Sequence, residues 1–522
     1  MNIPFAAGQG ATLGDVIATA IARYPDRIAF VNDEATVGYR ELGAQISQVQ
    51  QYFAELGLRP GDAVAQLGVN RYEVFVVIAA AYLSGLRSVT LHALGSRADH
   101  DFIIRDCDAR VVIVDEYYRA RGDQLRESCG DGRVWLSFGR LDGCLELAER
   151  AGRHAPKPLT VYGDAEHIIR VAYTGGTTGR SKGVMQSNRA LLTNLLLDLA
   201  AKPWPADVRY LCAGPISHGA GSLVIPTLAR GGRITLLRSF SADRLVDTIR
   251  QHACNVTWLV PTMLYALLDS PRVGDVDWSD FHSIVYSAAP AAPTRIREAL
   301  NLLGPILVQS YGQTECPNDV LLLDQADHAR LSDAQLAAAG RPYPTVRVAL
   351  LDERGIEVPT GSPGELCVRG PLLMSGYLNN PEETARVFEG GWLHTGDIAC
   401  RADDGLYYLV DRKKDMIVSG GFNVYPKEVE DIICAHPGVA AAAVVGVPDP
   451  KWGEMVMAYV QRREGPAVGE DELRAFVRER GSSIVAPKRV AFVDALPLTA
   501  LGKVDKKALR APHWSAGARA VN

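Results

Sequence analysis

The feature that most constrains this 522-residue chain is a repeated exchange between short, nearly unbroken apolar runs and longer amphipathic ones. Leu13, Val16, Ile17 and Ile21 recur at helical spacing, and Pro25-Asp26 closes that helix. Ile28-Ala29-Phe30-Val31 reads as a strand, and residues 39–56 read as a second helix ending at Gly57. The Gly61-Asp62 turn leads into a strand over 63–67, a helix over 72–83 that is almost wholly apolar, and a strand over 111–114. The same texture returns as strands over 234–237, 256–260 and 284–286 and helices over 242–252 and 292–303. Such runs belong to strands covered on both faces, as in parallel sheets flanked by helices. The expected fold class is therefore α/β, with a large N-terminal domain of stacked α/β sheets.

From about residue 345 the texture changes. Strands over 346–350 and 364–370 with turns between them predict a small β subdomain. Beyond Asp411-Arg412-Lys413-Lys414-Asp415 a fresh pattern begins: strand 416–418, helix 426–435, strands 440–447 and 456–460, helix 470–480, strand 489–493. It is long enough for a small α+β domain of its own. The division expected is residues 1–411 as the N-terminal domain and 412–522 as a small, mobile C-terminal domain, with a poorly anchored tail from about residue 511.

Composition excludes several classes. A net charge of −5 gives no global basic field for nucleic acid or an anionic membrane. Hydrophobic content of 47% and charged content of 22% are those of a soluble globular protein. None of the nine cysteines forms a Cys-x-x-Cys pair, so neither a zinc site nor a redox pair is signalled, and thiols in a reducing cytoplasm are expected. The first residues, Met1-Asn2-Ile3-Pro4-Phe5, lack the basic and apolar regions of a secretory signal, and the longest apolar run, residues 74–83, is too short to span a bilayer.

The chemistry-bearing stretch is Tyr173-Thr174-Gly175-Gly176-Thr177-Thr178-Gly179-Arg180-Ser181-Lys182-Gly183, which holds four glycines, three threonines and a lysine. It follows an apolar run and precedes a helical pattern over about 188–199, so it reads as strand, loop, helix. Glycines let backbone N–H groups converge, and hydroxyls and Lys182 add donors and charge, which suits a polyphosphate. The spacing is neither a Walker A loop nor a dinucleotide fingerprint, and a plain flexible turn is the bland alternative. Tyr311-Gly312-Gln313-Thr314-Glu315 follows an apolar strand at 306–308 and offers an aromatic face, a hydroxyl and a carboxylate able to hold Mg²⁺, or else is an ordinary turn. Asp397, in Trp392-Leu393-His394-Thr395-Gly396-Asp397, could accept both hydroxyls of a ribose or serve as a turn residue. Taken singly, His218 reads as a loop histidine, Lys503 as surface charge and 411–415 as a solvated linker.

Read together, the order and spacing of these stretches resemble the adenylate-forming superfamily: acyl- and aryl-CoA synthetases, peptide-synthetase adenylation domains and beetle luciferases. The likeness covers nearly the whole chain. It implies that Thr174, Gly175, Gly176, Thr177, Thr178, Gly179 and Lys182 grip the β- and γ-phosphates of ATP. Thr314 would touch the α-phosphate, Glu315 would ligate Mg²⁺, and Tyr311 and Gly312 would lie against adenine. Ala288, Ala289 and Pro290 would line the adenine and acid sites, Asp397 and Arg412 would hold the ribose, and His218 would stand near the acid's carboxylate. Lys503 would bridge carboxylate and α-phosphate, Asp411 would be the hinge, and Gly421 would border the acceptor thiol's tunnel.

Two departures bear on the acid. Ala288 stands in Ser287-Ala288-Ala289-Pro290 where the family frequently has glycine, which should narrow the acid channel. Cys316-Pro317-Asn318-Asp319 is expected to place polar groups near the acyl pocket. Both favour a compact, aromatic or functionalised acid over a plain long-chain fatty acid. The resemblance thus implies an ATP-, Mg²⁺- and CoA-using acid–thiol ligase without nucleic-acid or membrane partners, its homodimerisation left open. An amine or a carrier-protein thiol is the alternative acceptor, and a non-catalytic nucleotide-binding protein is the remoter reading.

Overall fold

The helix Tyr72–Leu83 has no polar face because none of its sides meets water: every residue from Val74 to Leu83 is buried. It lies between two sheets. One core joins it to Val64, Val111 and Ile169 of the first sheet and to Phe30, Tyr210, Ile234 and Val256 of the second. The computed structural model describes residues 11–514 apart from 33–34, 131, 175–180, 318, 413–414, 420–421, 451, 464–467, 482–484 and 500–503, and apart from the side chains of Asp411, Arg412 and Asn423.

The first sheet is eight-stranded. Ile168–Thr174, Arg87–Thr90, Ala63–Leu67, Ala109–Asp115, Val134–Phe138 and Leu145–Glu146 run parallel, and Lys182–Ser187 and Gly376–Tyr377 add antiparallel strands at one edge. The second sheet is nine-stranded. Its parallel centre runs Leu307–Tyr311, Ser283–Tyr286, Val256–Leu259, Arg209–Cys212, Arg233–Leu236 and Ile28–Val31, closed by antiparallel strands at both edges. A four-stranded antiparallel sheet follows, of Arg347–Leu351, Gly364–Arg369, Leu393–Arg401 and Tyr407–Arg412. The last strand of that sheet ends at Arg412. Ile417–Ser419 already belongs to another sheet, with its own helices Pro426–Cys434 and Glu470–Arg480 and its own core around Val429, Val456 and Leu473.

Most expected elements appear within a residue or two of their predicted ends, among them the helices Leu13–Arg23, Tyr39–Glu55, Ala242–His252 and Glu470–Arg480. The strand–loop–helix reading around residue 175 is corrected. Lys182–Ser187 is a strand, paired antiparallel with Ile168–Thr174 in a register that sets Thr174 opposite Lys182 and Tyr173 opposite Gly183. The glycine-rich segment therefore closes a hairpin, and the helix Asn188–Ala201 follows the second strand. Lys-Gly-Val-Met-Gln-Ser carries no alternation, so its strand conformation comes from two flanking partners and not from its own pattern. The short strands Arg87–Thr90 and Arg209–Cys212, each carrying polar residues, were likewise silent in the pattern.

Because the helix Tyr72–Leu83 is enclosed, extra volume has nowhere to go. Ala80, fully buried, when changed to Leu should cost about 1–3 kcal/mol. A urea or thermal midpoint equal to the parent's would contradict the two-sheet enclosure.

Candidate active site

The two parallel sheets turn their carboxyl edges toward one cleft of about 2880 Å³. Gly68, His92, Ala213, Leu237, Val260 and Ser287 line it, each within two residues of the end of a parallel strand, and Thr174 and Tyr311 are themselves strand ends. Open α/β sheets bind ligands at this edge. The small C-terminal lobe faces the same space through Lys427, Asp431, Lys506 and Arg510.

One wall is organised on Asp397, which is buried. The Tyr311 hydroxyl donates to Asp397 Oδ2 at 2.6 Å, and Gln313 Nε2 donates to the same oxygen at 2.7 Å and to the Thr395 carbonyl at 2.9 Å. Burial and the neighbouring carboxylate hold the Tyr311 phenol well above its ordinary range. Asp397 reaches this place through a bulge: the register between Gly364–Arg369 and Leu393–Arg401 slips here, and Gly396 takes a φ of +70°, a conformation that favours glycine. Arg412 pairs with Asp397 in the next register, but its side chain lies outside the described residues.

A second wall is built on Glu315 and Lys182. The Tyr377 hydroxyl donates to Glu315 Oε1 at 2.9 Å, and Gln186 Nε2 donates to the Thr314 carbonyl at 2.7 Å. Glu315 offers hard oxygens of the kind Mg²⁺ prefers. The Lys182 ammonium contacts Glu383 and lies 5.1 Å above the Tyr377 ring. Arg386 donates to Glu383 as well, and these two cations hold the Glu383 carboxyl down to about 2. Thr174 lines the cleft at the base of the hairpin. Gly175, Gly176, Thr177, Thr178 and Gly179 lie outside the described residues, as do Gly421 and Lys503.

The cleft has a third part. Ala288, Ala289, Pro290 and Gly312 line it. Ala288 has a φ of +75°, which an L side chain occupies at a cost of roughly 1–2 kcal/mol. The backbone thus asks for glycine and receives a methyl, in a residue that lines the cleft and packs against the core beside it. Ser287 Oγ donates to the Ser310 carbonyl at 2.6 Å, tying this turn to the Tyr311 strand. His218 shares a 2.7 Å hydrogen bond between Nδ1 and Ser217 Oγ, and meets the His92 ring edge-on with centroids 4.5 Å apart. Desolvation, then His92 and Arg170, push His218 well below its ordinary range, so it is neutral near pH 7 and offers a hydrogen bond, not a charge. The Arg170 guanidinium donates to the Ser217 carbonyl at 3.3 Å.

One expectation is overturned. Cys316 and Asp319 do not approach the cleft: Cys316 is packed among Val184, Leu321 and Leu366, and Asp319 is fully buried against Lys202 and Asn194. Pro317 still lines the cleft, but the Cys316 and Asp319 side chains turn away from it, Asp319 toward the buried Lys202. Asn318 lies outside the described residues. Sequence reasoning also missed Tyr377, Glu383, Gln313, His92 and Arg170. The segment Gly376-Tyr377-Leu378-Asn379-Asn380-Pro381 carried a turn signal for Tyr377, while the lone His92 and the strand residue Arg170 carried none.

Comparison with known proteins agrees with this geometry. The family model described as AMP-binding enzyme matches residues 17–378, and that described as AMP-binding enzyme C-terminal domain matches residues 428–503. The chain is similar to the medium/long-chain-fatty-acid–CoA ligase FadD8 of Mycobacterium tuberculosis, 41% identical over 97% of this chain and 91% of that protein. It is also similar to a feruloyl-CoA synthase of an Amycolatopsis species, 34% identical over 93% of this chain and 96% of that protein. Its backbone matches the amide bond synthetase McbA of Marinactinospora thermotolerans with a TM-score of 0.88 at 33% identity, over 95% of this chain and 99% of that one.

The buried histidines carry a pH signature. Desolvation lowers His92 and His328 to about 4 from an ordinary 6.5, and it also holds His218 well below its ordinary range. Below 6.5 the unfolded chain takes up protons that the folded chain refuses, so this stability is full above 6.5 and declines as pH falls toward 4. Each group contributes up to about 1.4 kcal/mol per pH unit. Urea midpoints should fall between pH 7 and pH 5; midpoints that stay level or rise would show that these rings protonate in the folded state.

Proposed function

The chain belongs to the AMP-binding enzyme family, and on that premise we propose that it joins a carboxylic acid to coenzyme A through an acyl-adenylate. The observation that carries the reading is the shared cleft. The Asp397 wall, the Glu315–Lys182 wall and the Ala288–His218 pocket all face the same space, so nucleotide and acid can meet.

In this reading Asp397 and Arg412 take the ribose hydroxyls, and Tyr311 and Gly312 lie along adenine. Thr174, Lys182 and the loop 175–180 hold the β- and γ-phosphates. A carboxylate oxygen of the acid attacks the α-phosphorus, the bond to the β-phosphate oxygen breaks, and pyrophosphate leaves. Negative charge gathers where two anions already meet, so preorganised positive charge governs the rate. His218, held neutral, cannot supply it. The charge falls to Lys503, while Thr314 donates to the α-phosphate. Mg²⁺, when bound through Glu315, would screen the phosphates, and the Tyr377 hydrogen bond would keep that carboxylate in one orientation.

A lysine carried on a small domain hinged at Asp411 could withdraw after adenylation and admit the thiol past Gly421. The thiol sulfur then attacks the acyl carbonyl, the bond to AMP breaks, and the thiol proton passes to solvent. The domain division at residues 411–412 belongs to this proposal. An amine acceptor is the second reading, favoured by the likeness to the amide bond synthetase.

For the acid we propose a compact, aromatic or functionalised molecule. The Ala288 methyl at a glycine-like backbone position and the polar rim of His92, Ser217 and Arg170 support it. The relatives are named for fatty acids and for ferulate, so the pocket's own side chains must decide.

Incubation with acid, ATP and CoA should give AMP, pyrophosphate and a thioester; ADP and phosphate would refute adenylation, and a product that forms only with amines would move the acceptor. Lys503→Ala should slow adenylate formation on the order of a hundredfold or more, while transfer from a preformed adenylate persists. In a pyrophosphate-release panel, benzoate- or ferulate-sized acids should outrun palmitate, and the opposite ranking would defeat the acid assignment.

A further inference from the structure

Beneath the Tyr311–Glu315 segment lies a group of charged side chains that the proposed chemistry does not use. Asp198 and Asp319 are fully buried and Lys202 is 6% exposed. The Lys202 ammonium contacts Asp198 and reaches Asp319 Oδ1 at 2.9 Å. Asn194 Nδ2 donates to Asp319 Oδ2 at 2.6 Å and to the Pro317 carbonyl at 2.7 Å. Ser310 Oγ donates to Asp319 Oδ1 at 3.1 Å and lies 3.2 Å from the Tyr343 hydroxyl.

Burying two carboxylates with one ammonium is costly, and well-packed apolar residues of the same volume serve stability as well or better. Desolvation and the Asp319 charge push the Asp198 carboxyl up, the mark of a cluster held against its solvation. What the cluster supplies is position. Ser310 immediately precedes Tyr311, and Pro317 and Asp319 follow Glu315, so both ends of the segment bearing Tyr311, Thr314 and Glu315 are fastened to one carboxylate. The Ser310 carbonyl in turn accepts from Ser287, which extends the tie to the Ala288 turn.

We propose that Asp319, oriented by Asn194 within the helix Asn188–Ala201 and by Lys202 just past its end, is a positioning residue that clamps the Tyr311–Glu315 segment and sets Thr314 and Glu315 where the nucleotide phosphates would lie. The role rests on the ligase reading above. It touches neither nucleotide nor acid and acts through backbone placement alone.

The test is Asp319→Asn in the full chain, which keeps the shape but replaces one accepting oxygen with an N–H donor facing the Asn194 amide or the Lys202 ammonium, both of which are themselves donors. ATP–pyrophosphate exchange, acyl transfer from a preformed adenylate, ATP-analogue binding by fluorescence and thermal midpoint are measured together. The variant should lose at least about tenfold in exchange rate and raise the KM for ATP, since small misplacements near reacting groups cost up to roughly a hundredfold. The KM for the acid and the transfer step should stay near the parent's. Unchanged exchange and ATP binding with a lowered midpoint, or equal losses in both half-reactions, would overturn the clamp and leave a structural ion cluster. If Asp319→Asn does not fold, Asn194→Ala, which keeps the ion pairs but frees Pro317 and Asp319, must show the same selective loss, and an unaffected Asn194→Ala overturns the proposal. A parent protein without exchange for any acid refutes the ligase reading instead; the effect of Asp319→Asn on ATP-analogue affinity then decides the clamp by itself.

Discussion

The enclosure of the helix Tyr72–Leu83 between two parallel sheets is the constraint on which the rest depends. A helix with no polar side must be covered all round, and here a sheet packs on each side of it. With the helix as a common spacer, the carboxyl edges of both sheets open onto the same space. Residues far apart in the chain, such as His92, Ser287 and Tyr311, become neighbours for that reason. The cleft is thus a consequence of burying one apolar surface twice.

Within the cleft the charges are arranged by contrast. Desolvation keeps the pocket histidines neutral, while the wall built on Glu315 and Lys182 pairs Lys182 and Arg386 with Glu383 beside Glu315. Hydrogen-bonded cations keep Glu383 ionised, and a tyrosine hydroxyl orients Glu315. One part of the cleft thus offers neutral rings, and the other offers cations already paired with carboxylates. The buried Asp198–Lys202–Asp319 group belongs to the same logic one layer deeper, where ions serve geometry and not solvation.

Much of this was legible in the chain. The helices Tyr39–Glu55 and Tyr72–Leu83 and the strand Ala63–Leu67 were marked by periodicity and by clean turn signals. Tyr311, Glu315, Asp397 and Lys182 were marked by their surroundings, because glycine turns beside apolar strands bring polar side chains to a sheet edge. The strand Lys182–Ser187 was not legible, since its conformation is imposed by neighbours on both sides. Nor was the direction of Cys316 and Asp319, because polarity in a sequence says that a residue needs a partner without saying where the partner lies.

The sequence by itself therefore determined the layered α/β architecture, the candidate site segments and the family to which the chain belongs, because these follow from local periodicity, turn chemistry and the spacing of residue types. Only the tertiary structure decided that the glycine-rich segment closes a hairpin, that Tyr311 and Gln313 converge on Asp397, that Lys182 meets Glu383, and that Asp319 faces inward to Lys202. These depend on which distant side chains share one low-dielectric volume, and hydrogen-bond partners across a hundred residues are chosen by packing, not by proximity in the chain.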